Sequence, residues 1–396
     1  MKKAISALLL ALLIVPAFLF ACPKAAAETR TINVYNWGQY IADGTDGSID
    51  VNKAFEEATG IKVNYMTYDT NETLYTKLKT GGSTYDVIIP SDYMIGRLID
   101  EGLIQKLDFD NIPNYRYIDE PYKNTAYDPA NEYSVPYTWG TVGIIYNTKY
   151  VDPADVGSWD LLWNEKYSGK ILMFSNPRDA FAIAQLRLGY SLNTEDENEI
   201  RAAADLLVEQ KPLVQAYVMD QIFADMEREE AWIAPYYAGD YLTMADVNDA
   251  LAFNVPEEGF NFFIDAMCIP PSCADKEAAE AYINFMCDPE INAQNLEFLG
   301  YSTPMSAAKE YMDEEMSSNE IAYPSADILA NGSAFLYLDQ ETNQLMDSLW
   351  LNVKTTGGIN PIIYIIAAVV IIAVIVILIV VRKQKLAKRR KGYTSK

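Results

Sequence analysis

Segments with the apolar pattern of strands take turns with helical segments between residues 31 and 90, and this alternation restricts the fold more than any other feature of the chain. Residues 31–35 (TINVY) read as a strand, Val51–Thr59 as a helix stopped by Gly60, and 61–65 (IKVNY) as a second strand. Residues 72–79 are again helical ahead of Gly81-Gly82, and 86–90 (DVIIP) read as a short buried strand. The expected α/β architecture is a mostly parallel sheet covered by helices. Ligands of such sheets bind beyond the carboxyl ends of the strands, where loops leave the sheet. Two loops at that edge carry Asn36-Trp37-Gly38-Gln39-Tyr40 and Ser91-Asp92-Tyr93. The pattern resumes in a second section, with strand-like stretches at 133–137, 143–147 and 170–174 and a helix at 200–210.

The two ends set the expected location. Lys2-Lys3, an almost wholly apolar run over 4–20 and the small residues Ala25-Ala26-Ala27 make 1–27 an export signal. Leu19-Phe20-Ala21-Cys22 also resembles a lipidation signal that would retain Cys22, so two processing routes fit. Residues 362–381 carry no charge, and their length matches the roughly 30 Å core of a bilayer at about 1.5 Å per residue. A single C-terminal transmembrane helix is expected there, joined to the rest by the short link Thr355-Thr356-Gly357-Gly358. The basic tail 382–396 would then be cytoplasmic and everything before the helix extracellular.

Charge and missing residue types exclude whole classes of function. Eight of the 31 basic residues lie in the tail and three before the signal cleavage point, so the remaining 20 face all 55 acidic residues and leave −35 on the outer part. Such a surface repels nucleic acid and attracts small cations. The chain has no histidine, which removes Ser-His-Asp and Cys-His nucleophiles and every His-ligated zinc site. It has no Gly-x-x-x-x-Gly-Lys-Ser/Thr loop for ATP. No catalytic residue, metal or cofactor is expected. Beyond Cys22, the thiols Cys268, Cys273 and Cys287 allow either one disulfide with a free thiol or three buried thiols.

Several long motifs occur in an order that resembles one family. YNWGQY (35–40), the stretch 60–95, NEYSVPYTWGTVGIIYN (131–147), LGYSLNT (188–194) and INFMCDPEINAQNLEFLGYSTP (283–304) are similar to the PotD-like polyamine-binding proteins of bacterial ABC transporters, an extracellular solute-binding family. The resemblance covers about 30–350. It implies a two-lobed, type II periplasmic-binding-protein-like fold with the ligand between lobes joined by crossing strands. Lobe 1 would comprise 28–136 and 266–300, and lobe 2 would comprise 137–265 and 301–356.

The resemblance also implies a ligand set. Trp37 and Tyr40 match its first-loop aromatics, and Ser91 and Tyr93 match a Ser and Tyr after a strand ending in Pro. Gln39 stands where an acid is common and Gly38 where a hydroxyl is. SNPRDAF (175–181) is similar to the family's DDAREVF, placing Asn176 at a position often Asp and Asp179 at one often Glu. Tyr237-Ala238-Gly239-Asp240 is similar to the Trp-Ala-Gly-Asp of putrescine-selective members, and Phe263-Ile264-Asp265 to a Trp/Phe-x-Asp on a crossing strand. A glutamine that spermidine-preferring relatives supply from the C-terminal region is not evident at 331–336.

The chemistry is consistent with that set, because a polyamine is an apolar chain with ammonium ends and needs aromatic walls with carboxylates set apart. The expected function is therefore an extracellular, membrane-tethered and monomeric receptor. It captures a polyamine, putrescine in preference to spermidine, and delivers it to an ABC permease served by a separate ATPase. A ligand sensor working through a partner in the membrane, a receptor for another small cationic solute, and an extracellular enzyme with paired carboxylates are the alternatives.

Overall fold

The computed structural model describes residues 30–82 and 84–356. The first section forms β1 (Thr31–Trp37), α1 (Val51–Thr59), β2 (Lys62–Tyr68), α2 (Asn71–Thr80), β3 (Val87–Ile88) and α3 (Asp92–Asp100). Local chemistry explains the boundaries. Asp50 caps α1 by accepting from the Lys53 amide at 2.9 Å, and Gly60 ends it in the left-handed region at φ 74°. Val51 and Phe55, four residues apart on one face, are fully buried, and each contributes about 1.5–3 kcal/mol by leaving water. β1 pairs in parallel with both β2 and β3. The strand expected over 86–90 narrows to two residues; ahead of it the Asp86 amide donates to the Asn33 carbonyl at 2.8 Å, and its carboxylate accepts from the Asn33 and Ala274 amides at 2.7 and 3.0 Å.

The second section contains β4 (Ser134–Asn147), β5 (Ile171–Phe174), α4 (Pro177–Arg187), α5 (Glu197–Gln210), β6 (Val214–Val218), α6 (Gln221–Glu227), β7 (Ile233–Tyr237), α7 (Ala238–Val247), β8 (Leu251–Asn254) and β9 (Phe260–Cys268). The stretches 133–137 and 143–147, expected as separate strands, are parts of the single strand β4. Pro136 and Gly140 look like interruptions in the sequence, but neither ends the strand. Pro136 has no N–H to give, and the pairing with β9 shifts register between Pro136 and Thr138. Gly140 leaves room for the Phe263 ring, whose Cζ would lie 2.8 Å from an added Cβ.

Across the sheet the order is β2-β1-β3-β9-β4-β7-β5-β6, with β8 added to β4. β9 runs antiparallel to β3 and β4, and β4 antiparallel to β7 and β8, while β5 is parallel to β6 and β7. The neighbouring strands β4 and β9 thus connect a parallel group at one end with another at the other end. The chain continues through α8 (Lys276–Met286), α9 (Pro289–Leu299), β10 (Gly332–Ser333), which pairs with β9, and α10 (Gln340–Thr355), which packs on α5. Cys268 and Cys287 are buried, Cys273 is partly buried, and all three are free thiols.

One part of the expected fold needs correction. Among the described residues no helix is long and apolar enough to cross a membrane, so a C-terminal spanning helix is not part of the supported architecture. The segment 362–381 on which it was placed lies outside the described residues, as do the export signal, Cys22 and the basic tail.

Candidate functional site

The carboxyl ends of β1, β3, β5, β6 and β7 surround a cavity lined mainly by aromatic and acidic side chains, the kind of lining a small-molecule site uses. Ten residues expected at the site line it: Trp37, Tyr40, Ser91, Tyr93, Asn176, Asp179, Tyr237, Asp240, Phe263 and Asp265. Gln39, the eleventh, is not among the lining residues. It is exposed at the tip of the turn after β1 with φ 48°, a left-handed conformation that places it outside the cleft wall.

That turn is held from beneath. The Asn36 side chain accepts from the Trp37 amide at 2.8 Å and donates to the Tyr40 carbonyl at 3.1 Å, and the same carbonyl accepts from the Tyr137 hydroxyl at 2.7 Å. A polar residue at the end of an apolar strand thus locks the loop that presents two aromatic rings. Tyr40 is buried, stands edge-on to Tyr137 and Tyr301, and donates its hydroxyl to Asp265 Oδ2 at 2.7 Å.

The second wall grows from α4, α7 and β9. Asn176 caps α4: its Oδ1 accepts from the Arg178 amide at 3.0 Å and its Nδ2 donates to Asp179 Oδ2 at 2.7 Å. Its side-chain oxygen caps the helix while its nitrogen orients Asp179. Asp179 also accepts from the Tyr237 hydroxyl at 2.9 Å, and Tyr237 stands edge-on to Phe263 at 5.3 Å. On the opposite side, Tyr93 donates to Glu72 at 2.9 Å. Asp240 is the first acid of α7. A Cβ on the preceding Gly239 would overlap the Tyr301 ring, so only glycine lets that ring lie over the start of the helix.

The acids share an electrostatic condition. Burial pushes Asp265 up to about 6, with nearby Ser91 and the Tyr40 hydrogen bond pulling the other way. Burial likewise lifts Asp179 to about 7, with the Tyr237 hydrogen bond pulling back. Asp240 reaches about 8, again through burial, with Tyr301 opposing and the charges of Asp220 and Asp265 adding. Asp265 is 4% exposed, and its Oδ1 has no hydrogen-bond partner. Carboxylates removed from water in this way gain most from an entering cation. The nearby Arg178 does not neutralise them through an ion pair. Its guanidinium bonds Asn193 and the Leu336 carbonyl and lies 4.6 Å from the Phe335 ring centre.

Several lining residues were not found by sequence reasoning: Asn71, Met219, Asp220, Phe223, Tyr236, Asn261, Tyr301 and Phe335. Met219 and Asp220 follow β6, and the rule that ligands meet loops at carboxyl strand ends would have reached them had β6 been recognised. Tyr301 lies inside a motif already noted, two residues beyond α9. Phe335 lines the cavity within the stretch 331–336, where no glutamine was found.

The sequence profile of the bacterial extracellular solute-binding proteins matches residues 51–324. This chain belongs to that family. The binding protein is 35% identical over 308 residues to the spermidine/putrescine-binding periplasmic protein of Escherichia coli (strain K12), covering 78% of this chain and 87% of the relative. It is 32% identical over 348 residues to the putrescine-binding periplasmic protein SpuD of Pseudomonas aeruginosa (strain UCBPP-PA14), covering 83% and 93%. Its structure is similar to that of a Listeria monocytogenes protein named for a spermidine/putrescine ABC transporter, with a TM-score of 0.78 and 36% identity over 82% of this chain and 99% of the other. The two-lobed α/β architecture of periplasmic binding proteins is thereby established for the binding protein, and its relatives are solute-binding proteins, not enzymes.

Proposed function

We propose that this protein is the extracellular receptor of an ABC transporter and captures a polyamine in the cavity, with putrescine preferred over spermidine, before delivery to the permease. The observation that carries the reading is a set of three acids among aromatic rings, Asp179 and Asp265 buried and Asp240 partly buried, all held up chiefly by desolvation. The two ammonium ends placed among these acids replace lost hydration with charged hydrogen bonds, and Trp37, Tyr93, Tyr237 and Phe263 cover the methylenes. Phe335 adds an apolar wall from the stretch 331–336, where no glutamine like that of spermidine-preferring relatives is evident, and the missing polar contact favours the shorter cargo. The names of the relatives support the cargo class.

In this reading the lobes divide at 136/137 and 265/266, within β4 and near the end of β9. Cargo shifts an open–closed equilibrium of the two lobes, and a separate ATPase drives release through the permease. The test is calorimetric titration of the purified protein with putrescine, cadaverine, spermidine and spermine. Micromolar or tighter binding, strongest for putrescine, is expected. If none of the four gives heat or raises the melting temperature, the polyamine reading fails. If spermidine binds more tightly than putrescine, the preference fails.

A further inference from the structure

The cavity contains an acid that no motif singled out. Asp220 lies between β6 and α6 and lines the cavity near Asp240, Tyr236 and Phe223. A Cβ added to Gly38 would overlap Asp220 Oδ2 and lie 3.0 Å from its Cγ. The carboxylate thus fills the volume that any side chain at position 38 would claim. Gly38 does not have a positive φ, so a side chain there would act on the position of the Asp220 carboxylate and not on the backbone. The two residues follow β1 and β6, near opposite ends of the sheet order, so Asp220 reaches across the cleft to the loop that carries Trp37 and Tyr40.

Burial pushes the Asp220 carboxyl up and the charge of Asp69 adds to it, with no cation among the charges acting on it. Asp220 in turn raises Asp240. Asp179 in the same cavity feels Glu72 and Asp265, and the unpartnered Oδ1 of Asp265 marks an acceptor left open inside.

We propose that Asp220 is a specificity-determining residue of this cleft, forming with Asp240 a two-carboxylate pocket for one ammonium end of the cargo and supplying from across the cleft the negative charge that Gln39 does not. The inference rests on the polyamine reading. A primary ammonium has three donors, enough to bond both carboxylates of the Asp220 and Asp240 pair at once.

The experiment is putrescine titration of the wild-type protein, Asp220→Asn, Gly38→Ala and the double variant, with thermal unfolding to establish that each is folded. Asp220→Asn is expected to weaken binding tenfold or more, and Gly38→Ala to weaken it by displacing the carboxylate. The double variant is expected to bind like Asp220→Asn alone, because the added methyl acts through a charge that is no longer present. If Asp220→Asn does not fold, Asp220→Ser takes its place. A loss smaller than tenfold, or losses that add in the double variant, overturns the role of Asp220 while wild-type binding leaves the polyamine reading intact. Absence of putrescine, cadaverine, spermidine and spermine binding to the wild type overturns both.

Discussion

Asp265 shows at the scale of one residue how the site stores its affinity. One oxygen is held by Tyr40 and the other has no partner. Asp265→Asn keeps the shape and removes the charge, and putrescine affinity measured by calorimetry is expected to fall roughly 10- to 100-fold, the usual worth of a charged hydrogen bond. The raised acids also couple binding to protons. With Asp179 at about 7 and Asp240 at about 8, both are substantially protonated in the empty protein at neutral pH, and an arriving ammonium expels those protons. Affinity is therefore expected to rise as pH climbs from about 5 to about 8 and to level off above. Titrations at pH 7 in buffers of different ionisation heat are expected to show release of roughly one to two protons per putrescine, and none if the acids are already ionised. For the empty protein the sign is opposite. Carboxyls raised in the fold contribute stability below their unfolded value of about 4, and that contribution is lost as pH rises through about 6 to 8. Much of this site was legible, because Trp37, Tyr40, Asp240 and Asp265 lie in motifs beside strand ends. Gln39 lies outside the cavity lining because of a left-handed turn that its side chain does not announce, and Asp220 was missed because β6, which it follows, was not recognised.

At the scale of elements, α7 and β4 depend on glycine for different neighbours. Gly239→Ala is expected to push the Tyr301 ring off the start of α7, costing about 1–3 kcal/mol in denaturant unfolding through overpacking. It is also expected to weaken putrescine binding, because Asp240 loses the hydroxyl that supports its charge. Unchanged unfolding would show that the ring has room to move. α1 was readable because Asp50, the buried pair Val51 and Phe55, and Gly60 all favour the same helix. β4 was harder to read because Pro136 and Gly140 look like breaks unless β9 is known to absorb a bulge at one and a ring at the other. β6 was missed for a related reason. Its residues are only partly buried at the sheet edge, so they carry no clean alternation of apolar and polar side chains.

At the scale of the molecule, cargo that binds only the closed form is expected to stabilise the whole fold. Putrescine at a hundredfold excess over its dissociation constant is expected to add about 2.7 kcal/mol, seen in scanning calorimetry as a melting temperature that climbs with the logarithm of concentration. No shift at saturation would mean that binding and folding are uncoupled. The side-by-side course of β4 and β9 has a mechanical consequence. A pair of bonded strands flexes out of its plane like a leaf spring but strongly resists shear along its length. For lobes that open and close as proposed, this pair would restrict the movement to one arc, and every closing stroke would return Asp220 to Gly38 in the same alignment, whatever solute the jaws had met.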